Sequence, residues 1–570
     1  MACTTLLVGK NASYDGSTMI ARNDDSGSGH FTAKKFVVVQ PEEHPAVYRS
    51  VLSHVEIPLP EGALRFTAMP NAVEGKGIWA ASGVNAANVG MTATETITSN
   101  PRVLGADPLV EYQPAKGEKP EVPGGIGEED IVYLVLPYIR SAREGVLRLG
   151  SLLEQYGTYE MNGIAFQDVN EIWWLETIGG HHWIARRVPD DVYVVMPNQL
   201  GIDTFDLEDA FGAQENYLCS ADLREFIAKN HLDLSLDGAL NPRDAFGSHD
   251  DADHVYNTPR AWYMLRYLNP RTWVWEGADA DYTPMSDDLP WCMVPERKVT
   301  PEDIKYMLSS HYQGTPYDPY LSYGDKSAKG AYRSIGINRN DFMALLQMRP
   351  DQPEESRAVE WVAYASNAFN TMVPFYANVE RTPEYLANTT GTVSTDNFYW
   401  TSRLIAAMAD ASYNKSLFHL ERYEEAVLSA GRALVNQYDA KLAAEPDAAR
   451  DLLYPGDHPV AARRVDAALH RRKPAGGTAD LREADAGLRD RRGGGRRGGV
   501  AHVDARARAA RSGHGDAPRS AGTVPHGRRG RLCGRNRFGG TRRRTDGRRR
   551  GRLCGTCNDA MTEWMHLVSR

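Results

Sequence analysis

The chain has 570 residues, 42% of them hydrophobic and 24% charged, with a formal net charge of −9 at pH 7. It is long enough to bury a substantial core, and no apolar run reaches the roughly 18 residues that would cross a bilayer, which argues against a membrane protein. Six cysteines without regular spacing do not make a disulfide framework, and the start MACTTLLVGKNASYDGS lacks the charged opening and long apolar run of a signal peptide, so a reducing, cytoplasmic setting is expected.

The first ~220 residues read as strands broken by Gly and Asn turns. Thr4–Gly9 is a short apolar strand, Asn11–Gly16 a turn and Thr18–Ala21 a second strand, forming a hairpin. Lys35–Gln40 and Gly77–Thr96 continue the strand-and-turn pattern. Across Asp130–Tyr156, Ile131, Leu134, Leu136, Ile139, Val146, Leu149, Leu152 and Leu153 recur near a 3.6 period, and Gly157 stands where a helix stops. Four strands follow at Gly163–Asp168, Glu171–Glu176, His181–Arg187 and Val192–Met196. Strands, a helical layer and more strands predict an α+β sandwich whose sheets are covered by helices. From Ala221 to Arg349 the pattern is mixed, with a helix over Pro301–His311 capped by Thr300 and strand and turn over Ile335–Gln347. Asp396–Arg450 reads as nearly all helix, amphipathic from Tyr399 to Leu442.

After Pro455 the texture changes. From Gly456 to Arg570, Lys and Arg exceed Asp and Glu by 17, which leaves −26 for residues 1–455. This stretch has no Ile or Tyr, one Lys (Lys473), one Phe (Phe538) and one Trp (Trp564). Its Arg/Gly runs at Arg491–Gly499 and Arg542–Arg552 resemble a nucleic-acid-binding arm. Joint loss of Ile, Tyr, Phe and Lys to the residues of G+C-rich codons is also what a shifted reading frame produces, and that reading is preferred; no nucleic-acid partner is expected. Such a segment buries too little apolar surface to offset its chain entropy, so disorder is expected. Its Cys554-x-x-Cys557 supplies at most half of a zinc site.

Cys3 is the first residue with nucleophilic potential. A cysteine attacks as its thiolate, and one at the first mature position carries its own base, an α-amine that titrates near ~8. Excision of Met1 and then Ala2 would expose it. The strand–turn–strand that follows returns Arg22 and Asp25 toward Cys3, where a guanidinium stabilises a thiolate and a carboxylate holds the ammonium or orients the arginine; a surface Arg–Asp pair near a turn is the plainer alternative. His181 and His182 in a strand would face opposite ways and make no metal pair. Asp250–Asp253 with His254 lacks EF-hand spacing and reads as a solvated acidic loop. Trp173, Trp174, Tyr399 and Trp400 read as core or interface aromatics. No phosphate-binding or dinucleotide glycine fingerprint is present.

The segments CTTLLVGKNASYDGSTMIARNDD, GVNAANVGMTATETITSNPRVLGADPLV, GIGEEDIVYLVLPYIRSAREGV, NEIWWLETIGGHHWIARRVPDDVYVVMPNQ and FYWTSRLIAAMADASYNKSLFHLERYEEA together resemble the bacterial cysteine dipeptidases of the dipeptidase A type, to which the secernins are related. The resemblance spans nearly all of residues 3–450. It implies a four-layer αββα N-terminal-nucleophile hydrolase sandwich with additional C-terminal helices, preceded by a two-residue propeptide (residues 1–2) and running over residues 3–455. Laid over the pattern of the related penicillin V and bile-salt acylases, it implies Cys3 as nucleophile, Arg22 and Asp25 from Ala21-Arg22-Asn23-Asp24-Asp25, Asn198 in the oxyanion hole, and Arg260 from Thr258-Pro259-Arg260. The match departs at Thr94-Glu95, where the acylases carry asparagine. An ionised glutamate cannot donate to an oxyanion, so a backbone N–H serves there or Glu95 grips the substrate's amino group.

The expectation is therefore a dipeptidase needing no metal or other cofactor, acting on dipeptides through a thioester on Cys3, and forming a homo-oligomer. The alternatives are an acylase-like amide hydrolase and a non-catalytic, secernin-like protein.

Overall fold

The computed structural model describes residues 3–444 apart from 93, 94 and 237, and of Glu95 the backbone. The expected basic tail and the two residues before Cys3 lie outside the described residues. No helix among the described residues is long and apolar enough to cross a membrane.

Strand β1 (Thr4–Val8) and strand β2 (Thr18–Asp25) are buried along their whole length. Their antiparallel register sets Thr5 opposite Arg22 and Leu7 opposite Ile20. Asp15 fixes the turn between them, its Oδ1 accepting from Ser17 N at 3.1 Å and Ser17 Oγ at 2.6 Å. Gly16 follows with φ 81°, a left-handed conformation that glycine adopts without steric cost. The pair lies inside a seven-stranded sheet in the order Cys292–Met293, Tyr193–Met196, β1, β2, Asn340–Met348, Ala358–Tyr364, Val373–Tyr376. A second seven-stranded sheet runs Tyr217–Cys219, His182–Arg187, Ile172–Ile178, Asn162–Gln167, Gly90–Thr92, Ser82–Val84, with Glu95–Thr96 also pairing to Asn162–Gln167.

Because side chains alternate across a strand, each sheet is apolar on both faces. Leu7 and Ile20 join Trp174, Ile184, Val194, Met196 and Leu346 in a core containing strands of both sheets. Leu6, Val8, Met19 and Ala21 point the other way, onto Trp262, Leu265, Ile304 and Leu308 of helices Thr258–Leu268 and Pro301–Leu308. On the second sheet Ile164, Phe166, Trp173 and Leu175 pack on Ile131, Leu134, Val146 and Leu149 of helices Glu128–Val135 and Ala142–Tyr156. The protein is thus α+β, two sheets packed face to face with helices outside them. Gly145 and Gly150 let the second of those helices approach closely, since a Cβ there would stand 2.4 Å from Phe166 and 2.3 Å from Trp183.

Two long helices expected from the sequence are each divided. Leu136–Tyr138 forms a 3₁₀ turn between Glu128–Val135 and Ala142–Tyr156. Pro137 supplies no backbone N–H there, and Ser141 caps the second helix by accepting from Glu144 N at 3.2 Å. The C-terminal helix is Phe398–Asp410 followed by Tyr413–Ala444. His181 and His182 do not point apart: both Nδ1 atoms bond Asp107, at 2.9 and 2.7 Å. The strand begins at His182, so strand alternation does not reach His181.

One buried carboxyl gives a pH test of this core. Glu360, fully buried in the first sheet, accepts a hydrogen bond from Thr67 Oγ1. Burial pushes it from its ordinary 4.5 up to about 8, against the pull of that bond. Between those values the folded protein keeps a proton that the unfolded chain has released, so this group lowers stability as pH rises. Glu360→Gln has no such proton. Its melting temperature should match wild type near pH 4 and exceed it increasingly from about pH 5 to about pH 8. Parallel melting-temperature profiles would refute the assignment.

Candidate active site

The site begins at the edge of the β1–β2 pair. Extending the register by one residue sets Cys3 across from Asp24, beside the Thr5–Arg22 pair. Cys3, Thr5, Arg22 and Asp24 therefore share the face that carries Leu7 and Ile20, the face toward the second sheet. Arg22 is fully buried, and its Nη2 lies 2.9 Å from Cys3 Sγ, 3.3 Å from Asp24 Oδ1 and 2.5 Å from Glu128 Oε1. Its Nη1 donates to Ala81 O at 3.1 Å. Cys3 Sγ is 3.9 Å from Asp24 Oδ1, and Lys34 Nζ stands 3.0 Å from Asp24 Oδ2.

Burial alone would lower the Arg22 pKa, yet Cys3, Glu128 and Asp24 raise it well above the ordinary range, so the cation is fixed. Burial likewise works to raise Asp24, but Lys34 and Arg22 hold it below the usual carboxylate range. A permanent guanidinium against the sulfur favours thiolate over thiol.

A second arginine reaches Cys3 from helix Thr258–Leu268. Arg260, also fully buried, donates through Nη1 to Cys3 O and to Thr4 Oγ1 at 2.7 Å. Its Nη2 donates to Asn198 Oδ1 at 2.7 Å and Asn257 Oδ1 at 2.6 Å. Asn198 Nδ2 donates to Thr96 O at 2.9 Å. Since Arg260 can only donate, it fixes which end of the Asn198 amide is oxygen and which is N–H. Asp253, read from sequence as part of a solvated loop, instead accepts from Asn257 Nδ2 and supports this network.

The structure thus brings Cys3, Arg22, Asn198 and Arg260 together. The carboxylate 3.9 Å from the sulfur is that of Asp24, where the sequence pointed to Asp25. Asp25 alternates to the opposite face of β2, and there its carboxylate accepts from Arg333 and from Asn340 Nδ2 at 3.0 Å. The Glu95 side chain lies outside the described residues; its backbone pairs with Gly163. Sequence reasoning missed Asp24, Lys34, Glu128 and Asn257. Period-2 alternation from Arg22 pointed to Asp24, whereas Glu128 comes from 106 residues away.

Cys3, Asp24 and Glu128 present ligand atoms within 4.8 Å of one another, a spacing that could hold a metal ion. Arg22 Nη2 already contacts all three, so a divalent ion would have to share their midst with a fixed positive charge. The arrangement suits nucleophilic chemistry at sulfur better than metal binding.

Residues 2–426 match peptidase family C69. The chain is 62% identical over 445 residues to a dipeptidase of Bifidobacterium longum, covering 78% of this chain and 84% of that one. It is 56% identical over 445 residues to a probable dipeptidase A of Streptococcus pyogenes, covering 78% and 90% respectively. With dipeptidase A of Lactobacillus helveticus the identity is 48% over 414 residues, 72% of this chain and 82% of that one.

The buried Asp25–Arg333 pair should dominate local stability. Asp25→Ala removes the carboxylate that faces the buried Arg333 cation and should cost ~3–5 kcal/mol in urea unfolding. Glu208→Ala, which breaks an exposed pair with Arg224, should change stability by less than about 1 kcal/mol. Equal small effects would show that Asp25 is not structurally paired in solution.

Proposed function

The chain belongs to peptidase family C69, and from that premise we propose that it hydrolyses dipeptides by attack of Cys3 Sγ on the peptide carbonyl, once Met1 and Ala2 have been removed. The observation that carries this reading is the 2.9 Å contact between the buried Arg22 guanidinium and the Cys3 sulfur.

While Ala2 is attached, the nitrogen of residue 3 is an amide and has no basicity. After trimming it is an α-amine that takes the thiol proton. The thiolate forms a bond to the carbonyl carbon, and the carbonyl electrons move to oxygen. An N–H of Asn198 and a backbone N–H near Glu95 stabilise that oxyanion. As the tetrahedral centre collapses the C–N bond breaks, and the α-ammonium gives its proton to the departing amino acid. Water then attacks the thioester, losing a proton to the amine, and the second collapse returns the proton to the sulfur as the free acid leaves. Arg22 holds the thiolate, Arg260 orients Asn198 and fixes the Cys3 carbonyl, and Asp25 acts through Arg333 and Asn340 on the end of β2.

Two stacked sheets between helical layers, with a cysteine at the start of an inner strand, are the features that support assigning an N-terminal-nucleophile hydrolase sandwich. The helices after residue 398 are its C-terminal addition. We place the enzyme in the cytoplasm and assign residues 456–570 no part in the reaction.

Intact mass of the active protein should show loss of Met1 and Ala2, and Cys3→Ala should abolish dipeptide hydrolysis. Iodoacetamide should inactivate the enzyme while a chelator leaves its rate unchanged; a full-length N-terminus on active enzyme, or chelator-sensitive turnover that survives alkylation, would overturn the scheme. Asn198→Ala should lower kcat by about 10²–10³-fold, read in steady-state assays; an unchanged kcat would remove Asn198 from the oxyanion hole.

A further inference from the structure

The contacts around Cys3 close into a ring. Arg22 joins Cys3 to Glu128. Glu128 N donates to Glu160 Oε1 at 2.6 Å, and Asn162 Nδ2 donates to Glu160 O at 3.2 Å. Asn162 pairs with Thr96, whose carbonyl accepts from Asn198. Asn198 bonds Arg260, and Arg260 returns to the Cys3 carbonyl. Cys3 and Asn198 provide the attacking and polarising groups on this ring. Glu128 and Glu160 are acidic groups on it that the reaction steps leave unused.

We propose that Glu128, backed by Glu160, is the subsite that receives the free α-ammonium group of the dipeptide. This rests on the dipeptidase reading and names the residues that recognise the substrate's free amino end.

Glu128 is 2% exposed; one of its oxygens is bonded by Arg22, while Oε2 is buried without a hydrogen-bond partner. A buried carboxylate oxygen left in that state is costly unless a cation or donor reaches it. A carboxylate oxygen of Glu128 lies within 4.8 Å of Cys3 Sγ. In a dipeptide the α-nitrogen is roughly 2.5 Å from the scissile carbonyl carbon, and that carbon sits ~3–3.5 Å from the attacking atom. The ammonium of a substrate held for attack at Cys3 therefore falls within reach of Glu128. Glu160 is half-buried next to it, and burial together with the Glu128 charge pushes its carboxyl up to about 7. A cation seated beside the two carboxylates relieves that repulsion. Arg22 Nη2 is directed to Cys3, Asp24 and one oxygen of Glu128, and its Nη1 donates to the Ala81 carbonyl.

The test compares alanyl-alanine with lactoyl-alanine, in which a hydroxyl replaces the ammonium and the scissile amide is unchanged. Wild-type enzyme should favour alanyl-alanine in kcat/KM by at least about 100-fold. Glu160→Gln and Glu128→Gln should reduce that preference at least tenfold, chiefly by raising KM for alanyl-alanine. If Glu128→Gln fails to fold because Arg22 loses its partner, Glu160→Gln decides. A preference unchanged in the variants, with both substrates slowed equally, assigns the glutamates a structural role and overturns the inference while the dipeptidase reading stands. Equal wild-type rates on the two substrates also overturn it. Hydrolysis of neither substrate by the wild type overturns the dipeptidase reading itself, and the subsite with it.

Discussion

A guanidinium with no access to water sits between the two sheets, and the chemistry of the site is arranged around it. Taking an arginine out of solvent costs several kcal/mol unless anions and hydrogen-bond acceptors replace the lost water. For Arg22 they are Cys3 Sγ, Asp24 and Glu128 at one nitrogen and the Ala81 carbonyl at another. Cys3 and Asp24 belong to the first sheet's end. Ala81 leads into Ser82–Val84 of the second sheet, and Glu128 opens a helix packed on that sheet's outer face. The side chain whose charge favours a thiolate at Cys3 is therefore also a tie between the layers. A lysine could not replace it, because a single ammonium lacks the planar fork that reaches acceptors on both sides at once.

The other arginine does different work. Arg260 faces neutral acceptors: the Cys3 carbonyl, the Thr4 hydroxyl and the amide oxygens of Asn198 and Asn257. It contributes orientation, anchoring the backbone on which the sulfur is carried and fixing the rotamer of the asparagine opposite. In the proposed reaction one arginine sets the charge state of the nucleophile and the other its position. Neither depends on a loop, since β2 carries the first and a buried helix the second, which suits a site that must hold its geometry closely.

What the sequence made legible follows from how far each interaction reaches along the chain. The β1–β2 hairpin is local, its apolar alternation strong and its turn marked by Asp15-Gly16, so the approach of Arg22 to Cys3 could be read directly. Placing Asp25 beside the sulfur took the hairpin's return without its alternation, and the acylase pattern pointed the same way, whereas the two-residue repeat of the strand points to Asp24. The division at Pro137 was visible in principle, but the apolar period runs through it. Helix Thr258–Leu268 was not legible: TPRAWYMLRYL is buried nearly all round, so it offers no polar face for a period to show. Glu128 reaches the site through tertiary packing from 106 positions away, which no local pattern marks; Lys34 pairs with the nearby Asp24 but lies outside any regular strand, so no period places it.

These two kinds of information separate within the site as well. The contacts of Cys3 Sγ with Arg22 and Asp24 run between side chains and do not use the nitrogen of residue 3, so the electrostatic setting of the sulfur is a product of folding. The base proposed for the reaction is not, because an amide nitrogen has no usable affinity for a proton whatever surrounds it. On the proposed scheme folding and trimming supply complementary halves of one nucleophile: a setting that stabilises a thiolate, and a proton acceptor created only when the peptide bond to Ala2 is cut. On that scheme a precursor folds with its polar network complete and is still unable to turn over dipeptides, so that the appearance of activity is set by a single covalent event at the amino end.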